Sequence, residues 1–260
     1  LSERLGLHLV LGPRAGTEAP PAFDIAAARA RLPDVCASDE ILTALCEAAA
    51  VMGMAPAAFA ERGTDGEVKL TFPQAVSIMN PYLSGGTKDI YAASMVLEPL
   101  AGLSPEGVLI PKLVTEIPTV ENGGVSADMT SITWKLIPGL LWSDGTPVTA
   151  ADAVFTWQYC THPEGGCSQA TKYEGVASVE AVDDATIKVT FDGPKANPYT
   201  AFVSALSPLL QKAQFEACIG AAAPTCTDAN NMPIGTGPFK VVGFTVNDTV
   251  SMEANTNYRD

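Results

Sequence analysis

The stretch WSDGTPVTAADAVFTW, residues 142–157, must be either a loop that carries chemistry or a corner that launches a helix. Asp144-Gly145 is a turn dipeptide, because an Asp side chain can bond its own backbone and Gly tolerates positive φ. Pro147 then holds the chain extended, and Thr149 stands where a helix N-cap belongs. Asp152 follows three residues later, at the positive end of the helix dipole. Val154, Trp157 and their neighbours recur at helical spacing, so one face of Ala150 to Trp157 should be buried. Capping accounts for Asp152 without catalysis. The stretch reads as a scaffold corner.

Around this corner strands and helices alternate. SITWKLIPGLLW (131–142) reads as the strand that enters it. Upstream, EVKLTF alternates as a strand that stops at Pro73, and SIMNPYLSGG (77–86) is a loop. DIYAASMVLEPL (89–100) is expected to be a helix with Ile90, Ala93 and Leu97 on one face. SPEGVLIPKL is a turn leading to a short strand and a helix. Downstream, ASVEAVDDATIKVTF (177–191) is a hairpin turning at Asp183-Asp184, with Ile187, Val189 and Phe191 on one face. FKVVGFTVNDTVSMEAN (239–255) is a second hairpin, turning at Asn247-Asp248. PYTAFVSALSPLLQKAQFEAC, between the hairpins, is expected to be helical in two pieces. Helices interleaved with hairpins make an α/β class with a mixed sheet.

The 260 residues suffice for one large domain or two small ones. Acidic side chains number 29 against 15 basic, a net charge of −14, which argues against a nucleic-acid partner or a polybasic membrane contact. Residues 1–62 hold five Arg, no Lys and 16 Ala, whereas residues 63–260 hold nine Lys and one Arg. That shift marks a junction near Gly63, between an Ala/Arg-rich extension (1–62) and the rest (63–260). The extension contains an apolar run with a lone His8 and helices near 24–32, 38–52 and 56–62, and no motif in it carries chemistry.

Six Cys form three sequence-local pairs, of which Cys36 and Cys46 read as free thiols. Cys160 with Cys167, and Cys218 with Cys226, each close a short Gly-, Pro- or Ala-rich loop, the pattern of a local disulfide in an exported protein. Zinc is the alternative for Cys160, His162 and Cys167, but it would lack a fourth local ligand. Residues 41–60 read either as a signal-peptide core ending in Ala58-Phe59-Ala60 or as a helix capped by Ser38. Glu47 within the run, and Asp39 and Glu40 before it, speak against the first.

Five stretches, in order, resemble the extracytoplasmic solute-binding proteins of ABC importers, in the oligopeptide/dipeptide branch, family 5. They are LTFPQAVSIMNPYLS, LEPLAGLSPEGVLIPKLVTEIP, TWKLIPGLLWSDGTPVTAADAVFTWQY, ASVEAVDDATIKVTF and PIGTGPFKVVGFTVNDTVSMEANTNYRD. The resemblance covers about residues 66–260. It implies a type II, peptide-branch periplasmic-binding-protein first lobe, with the second lobe expected beyond this sequence. It also implies capture of a peptide or similar small solute in the periplasm or outside the cell, for delivery to membrane permease subunits, with no cofactor and no catalysis. By position it points to Gln74, Ala75, Val76, Asn80 and Tyr82 as ligand-binding, with Trp157 as a weaker candidate that helical spacing also assigns to the core. No lipobox Cys precedes ERGTDGEVKLTF, which follows Ala60 and looks like the polar start of a mature chain, so lipid anchoring is not expected.

Two rivals come from other classes. One is an exported, non-catalytic interaction domain. The other is a secreted hydrolase, which would need a nucleophile with a base or a paired acid and base. Only His8 and His162 are available, no G-x-S-x-G motif is present, and Asp183-Asp184 reads as a solvated turn. GTGPF (235–239) lacks the Lys and Ser/Thr of a phosphate loop and precedes a strand, so it reads as a tight backbone crossing into the sheet.

Overall fold

A computed structural model of the chain describes residues 8–13 and 67–259. The expectations for Cys36, Cys46, the stretch 41–60 and the helices of the extension lie outside the described residues. The strands are β1 (His8–Pro13), β2 (Glu67–Phe72), β3 (Ala101–Leu103), β4 (Leu109–Pro111), β5 (Ser131–Lys135), β6 (Val176–Asp183), β7 (Thr186–Phe191), β8 (Phe239–Phe244) and β9 (Val250–Ala254). The α-helices are α1 (Thr87–Ala93), α2 (Ala150–Thr161), α3 (Lys212–Phe215) and α4 (Thr227–Asn231).

A mixed four-stranded sheet runs in the order β2-β1-β9-β8, with β1 parallel to β2 and the other pairs antiparallel. A three-stranded antiparallel sheet runs β5-β7-β6, and β3 pairs with β4. The architecture is mixed α/β. Two cores correspond to the two larger sheets. Val76, Met79, Val96, Val250 and Met252 are buried together beside the four-stranded sheet. The larger core gathers Trp134, Trp142, Tyr159, Phe202 and Phe215 around the three-stranded sheet and α2.

Both hairpins form where alternation placed them. Ile187, Val189 and Phe191 share the buried face of β7. The Asp183 carboxylate accepts the Ala185 amide at 2.8 Å, which closes the first turn. Asn247 takes the positive φ of the second, at 58°. The 142–157 corner is also as expected: Gly145 sits at φ 86° and Thr149 is the extended residue before α2. Thr149 is the N-cap, as expected, and forms a reciprocal capping box with Asp152 at N3. The Asp152 Oδ2 accepts the Thr149 amide at 2.9 Å, and the Thr149 hydroxyl lies 3.4 Å from that same oxygen.

Four expectations are corrected. Strand β5 ends at Lys135 rather than running to 142. The helix expected over 89–100 spans only Thr87–Ala93, because the Val96 and Met95 carbonyls turn outward to accept the Gly237 and Phe239 amides at 2.8 and 3.2 Å. The segment after β4 is irregular, not helical. Residues 198–211 are irregular too, since part of their backbone pairs with 98–101. Leu100 donates to the Phe202 carbonyl at 2.9 Å, Leu209 to that of Glu98 at 3.0 Å, and Phe202 and Ser204 take positive φ. Helix appears only at α3 and the 3-10 turn Glu216–Cys218.

Candidate functional site

The segment following β2 is the place to look for a ligand wall, and its residues divide into two kinds. Pro73 and Gln74 are exposed and Ala75 is half-buried, while Val76 turns its side chain into the smaller core. Among the described residues, the amides of Gln74, Ala75 and Val76 and the carbonyls of Gln74 and Ala75 have no hydrogen-bond partner. The Val76 carbonyl accepts the Asn247 amide from the tip of the β8–β9 hairpin at 3.3 Å. The chain bends at Pro73 and Gln74, and this is irregular, solvent-reaching backbone with donors and acceptors unused.

Asn80 and Tyr82 are different. Both are fully buried, and their polar atoms are committed inside the protein. The Asn80 carboxamide oxygen accepts the Tyr82 amide at 3.1 Å and caps the short 3-10 turn Pro81–Leu83. Its Nδ2 donates to the Tyr159 hydroxyl at 3.0 Å and to Asn230 Oδ1 at 2.9 Å. The Tyr82 hydroxyl donates to the Pro208 carbonyl at 2.5 Å and lies 2.9 Å from the Tyr173 hydroxyl, to which Ser207 donates at 3.0 Å. Burial, reinforced by the neighbouring Tyr173, pushes the Tyr82 phenol well above its usual pKa, and burial takes Tyr173 and Tyr159 to about 12. These phenols are fixed donors and acceptors that shape the segment from below. Trp157 packs half-buried against the larger core, and its indole N–H has no partner.

Asp89 is the knot that ties the segment to α1. Its carboxylate accepts the Ser77 amide at 2.8 Å, the Ser77 hydroxyl at 2.9 Å, the Ser84 hydroxyl at 2.7 Å and Lys88 Nζ at 2.8 Å. Burial alone would raise its pKa, but these donors outweigh it and hold the carboxyl below the ordinary value. Sequence reading missed Asp89, although an acid in the first turn after Gly-Gly-Thr was a legible capping signal. It also missed Gln169, Asn230 and Tyr159, which no local pattern connects to residue 80.

Both short Cys pairs are disulfides, with Cα separations of 5.1 Å for Cys160–Cys167 and 5.7 Å for Cys218–Cys226. The zinc alternative at Cys160, His162 and Cys167 is thereby removed. His162 instead closes α2, its Nδ1 accepting the Glu164 amide at 3.2 Å. Among the described residues no group of three His, Cys, Asp or Glu could hold a metal ion. Two open depressions, of about 330 and 530 Å³, lie on the outer side of α2 beside Trp142 and Phe155 respectively, and neither includes the 74–82 segment. The GTGPF loop is a close crossing: a Cβ on Gly235 would sit 1.9 Å from the Val96 carbonyl oxygen.

Comparison with known proteins agrees with this architecture. The chain belongs to the bacterial extracellular solute-binding proteins, family 5, whose middle-region profile matches residues 109–260. An ABC-transporter peptide-binding protein of Brucella ovis is 31% identical over 140 residues, covering 52% of this chain and 25% of its own. A glutathione-binding protein of Pectobacterium atrosepticum is 25% identical over 180 residues, covering 69% of this chain and 32% of its own. The Haemophilus influenzae OppA structure in complex with the nonapeptide RPPGFSPFR matches with a TM-score of 0.59 at 23% identity, over 71% of this chain and 37% of that one. The chain thus spans about a quarter to a third of the curated relatives it matches.

Proposed function

We propose that this chain supplies one wall of an extracytoplasmic site that captures peptides or a similar small solute for an ABC importer, and that it performs no chemistry. The observation that carries this reading is the irregular Gln74–Val76 backbone, whose amides, with the carbonyls of Gln74 and Ala75, are unpaired among the described residues, in a family of solute-binding proteins. An extended peptide is recognised by main-chain pairing of this sort, with side chains left in tolerant, wet pockets. Gln74 and Ala75 face the ligand, Val76 seats the wall on the core, and Asn80 and Tyr82 hold its far end from beneath. Trp157 acts through packing only.

The reading also fits the carboxylates. Asp152 and Asp144 are spent on a helix cap and a turn, and Asp183 on a hairpin. Permease subunits are the expected receiving partner, and the periplasm or cell exterior the expected location.

The test is photo-labelling with RPPGFSPFR carrying a benzophenone in place of one Phe. Saturable labelling within 73–77, competed by unlabelled peptide, is the expected result. Labelling confined to the depressions beside Trp142 and Phe155, or no competition at millimolar peptide, would overturn the assignment.

A further inference from the structure

The two disulfide-closed loops lie against each other and against the underside of the proposed wall. His162, inside the first loop, packs on Gly220, inside the second; a Cβ there would come within 2.6 to 3.1 Å of three imidazole atoms, and Gly220 takes φ 67°. Immediately after the first loop, the Ser168 amide donates to the Tyr82 carbonyl at 2.7 Å. The buried Gln169 then sends Nε2 to the Ser84 carbonyl at 3.1 Å and to that of Pro81 at 3.4 Å, while its own amide rests on Cys167 Sγ at 3.4 Å. After the second loop, the Asn230 amide donates to the Cys226 carbonyl at 2.9 Å, and its Nδ2 reaches back to Ala223 at 2.8 Å. On its other side, Asn230 accepts the Met79 amide on its carbonyl at 3.0 Å and Asn80 Nδ2 on Oδ1 at 2.9 Å.

We propose that the two disulfide loops form a bracket that positions the wall segment, with Gln169 and Asn230 as the positioning residues that transmit it. The carbonyls of Pro81, Tyr82 and Ser84 and the amide of Met79 face no strand ladder, so their geometry depends on what these two residues can reach. Each residue follows a cystine by two to four positions, and a closed loop of so few residues fixes that reach locally. This inference rests on reading the segment after β2 as a ligand wall whose exposed part is Gln74 and Ala75, but its central claim concerns order in the segment and is measurable without ligand.

The experiment is amide hydrogen exchange on the 260-residue chain, its Cys160→Ser/Cys167→Ser and Cys218→Ser/Cys226→Ser variants, and the near-isosteric Gln169→Glu. Gln169→Glu keeps both disulfides and the side-chain volume while removing the donors to Pro81 and Ser84. Exchange at Met79, Tyr82 and Ser168 should quicken about tenfold or more in the variants, with Ile187 and Val189 in β7 unchanged. Asn230→Asp, which keeps the acceptor for Asn80, should loosen the segment less than Asn230→Ala. Unchanged exchange at these amides in both Cys variants would overturn the proposal, as would acceleration spread equally over β7. The benzophenone peptide is then applied to the same proteins. Absence of competed labelling in all of them would refute the wall reading, leaving the bracket to be judged on exchange alone. Labelling of wild-type strength in a loosened variant would refute the bracket's part in binding.

Discussion

Gly235→Ala tests whether the GTGPF loop is a packing device. The new methyl would meet the Val96 carbonyl oxygen at 1.9 Å, the Val96 carbonyl carbon at 2.6 Å and Val96 Cγ1 at 2.8 Å. Two of these are backbone atoms within the smaller core, so no rotamer change relieves the clash, and the two segments must separate. Overpacking of this kind costs about 1–3 kcal/mol. Separation also strains the Gly237 amide to Val96 carbonyl bond, 2.8 Å, and the Ser143 amide to Gly235 carbonyl bond, 2.9 Å. At about 1 kcal/mol each, these bring the expected loss to roughly 3–5 kcal/mol. For a chain of this size that is a Tm lowered by about 10 °C. Gly139→Ala is the control: Gly139 has φ 76° but open space around its would-be Cβ, so only the backbone term of about 1–2 kcal/mol applies. Urea unfolding followed by tryptophan fluorescence reads both variants. A loss below about 1 kcal/mol for Gly235→Ala, or one no larger than for Gly139→Ala, would refute the close-crossing account.

Three further outcomes are expected. Asp152→Ala should cost about 2–3 kcal/mol by orphaning the Thr149 and Lys212 amides, whereas Thr149→Ala, which removes only the other half of the capping box, should cost about 1 kcal/mol; equal losses in chemical denaturation would refute this ranking. Asp89→Asn should cost about 2 kcal/mol at pH 7. Because the Asp89 pKa is lowered on folding, its contribution is fully present above the unfolded value near ~3.9 and fades as pH falls through the folded one, so urea midpoints of wild type and variant should converge at low pH. Asp152, raised by burial, has the opposite sign and loses stability as pH climbs from its unfolded pKa through its folded one. Unreduced tryptic peptides 136–172 and 213–240 should each be lighter by two hydrogens than after reduction, and equal masses would exclude the two disulfides.

Local chemistry determined a good deal of this protein from the sequence alone. Asp-Gly and Asn-Asp turns, period-two alternation in TIKVTF and a capped start at Thr149 act over a few residues, so the hairpins and α2 were legible there. The short Cys spacings were legible for the same reason. The five ordered stretches likewise carried the family. Tertiary structure decided what depends on partners far along the chain. Residues 198–211 have apolar content that suits a helix, yet the Phe202 carbonyl and the Ser204 and Leu209 amides are taken by 98–101, about a hundred positions away. Helix α1 stops early because the Gly235–Phe239 crossing claims its next carbonyls. Asn80 and Tyr82 were picked out by position, but only the fold buries them against Asn230, Tyr159 and Tyr173, between 79 and 150 residues away. No pattern along a chain encodes a hydrogen bond across such a span, because either partner reads by itself as an ordinary polar residue, and burial alone makes the pairing obligatory.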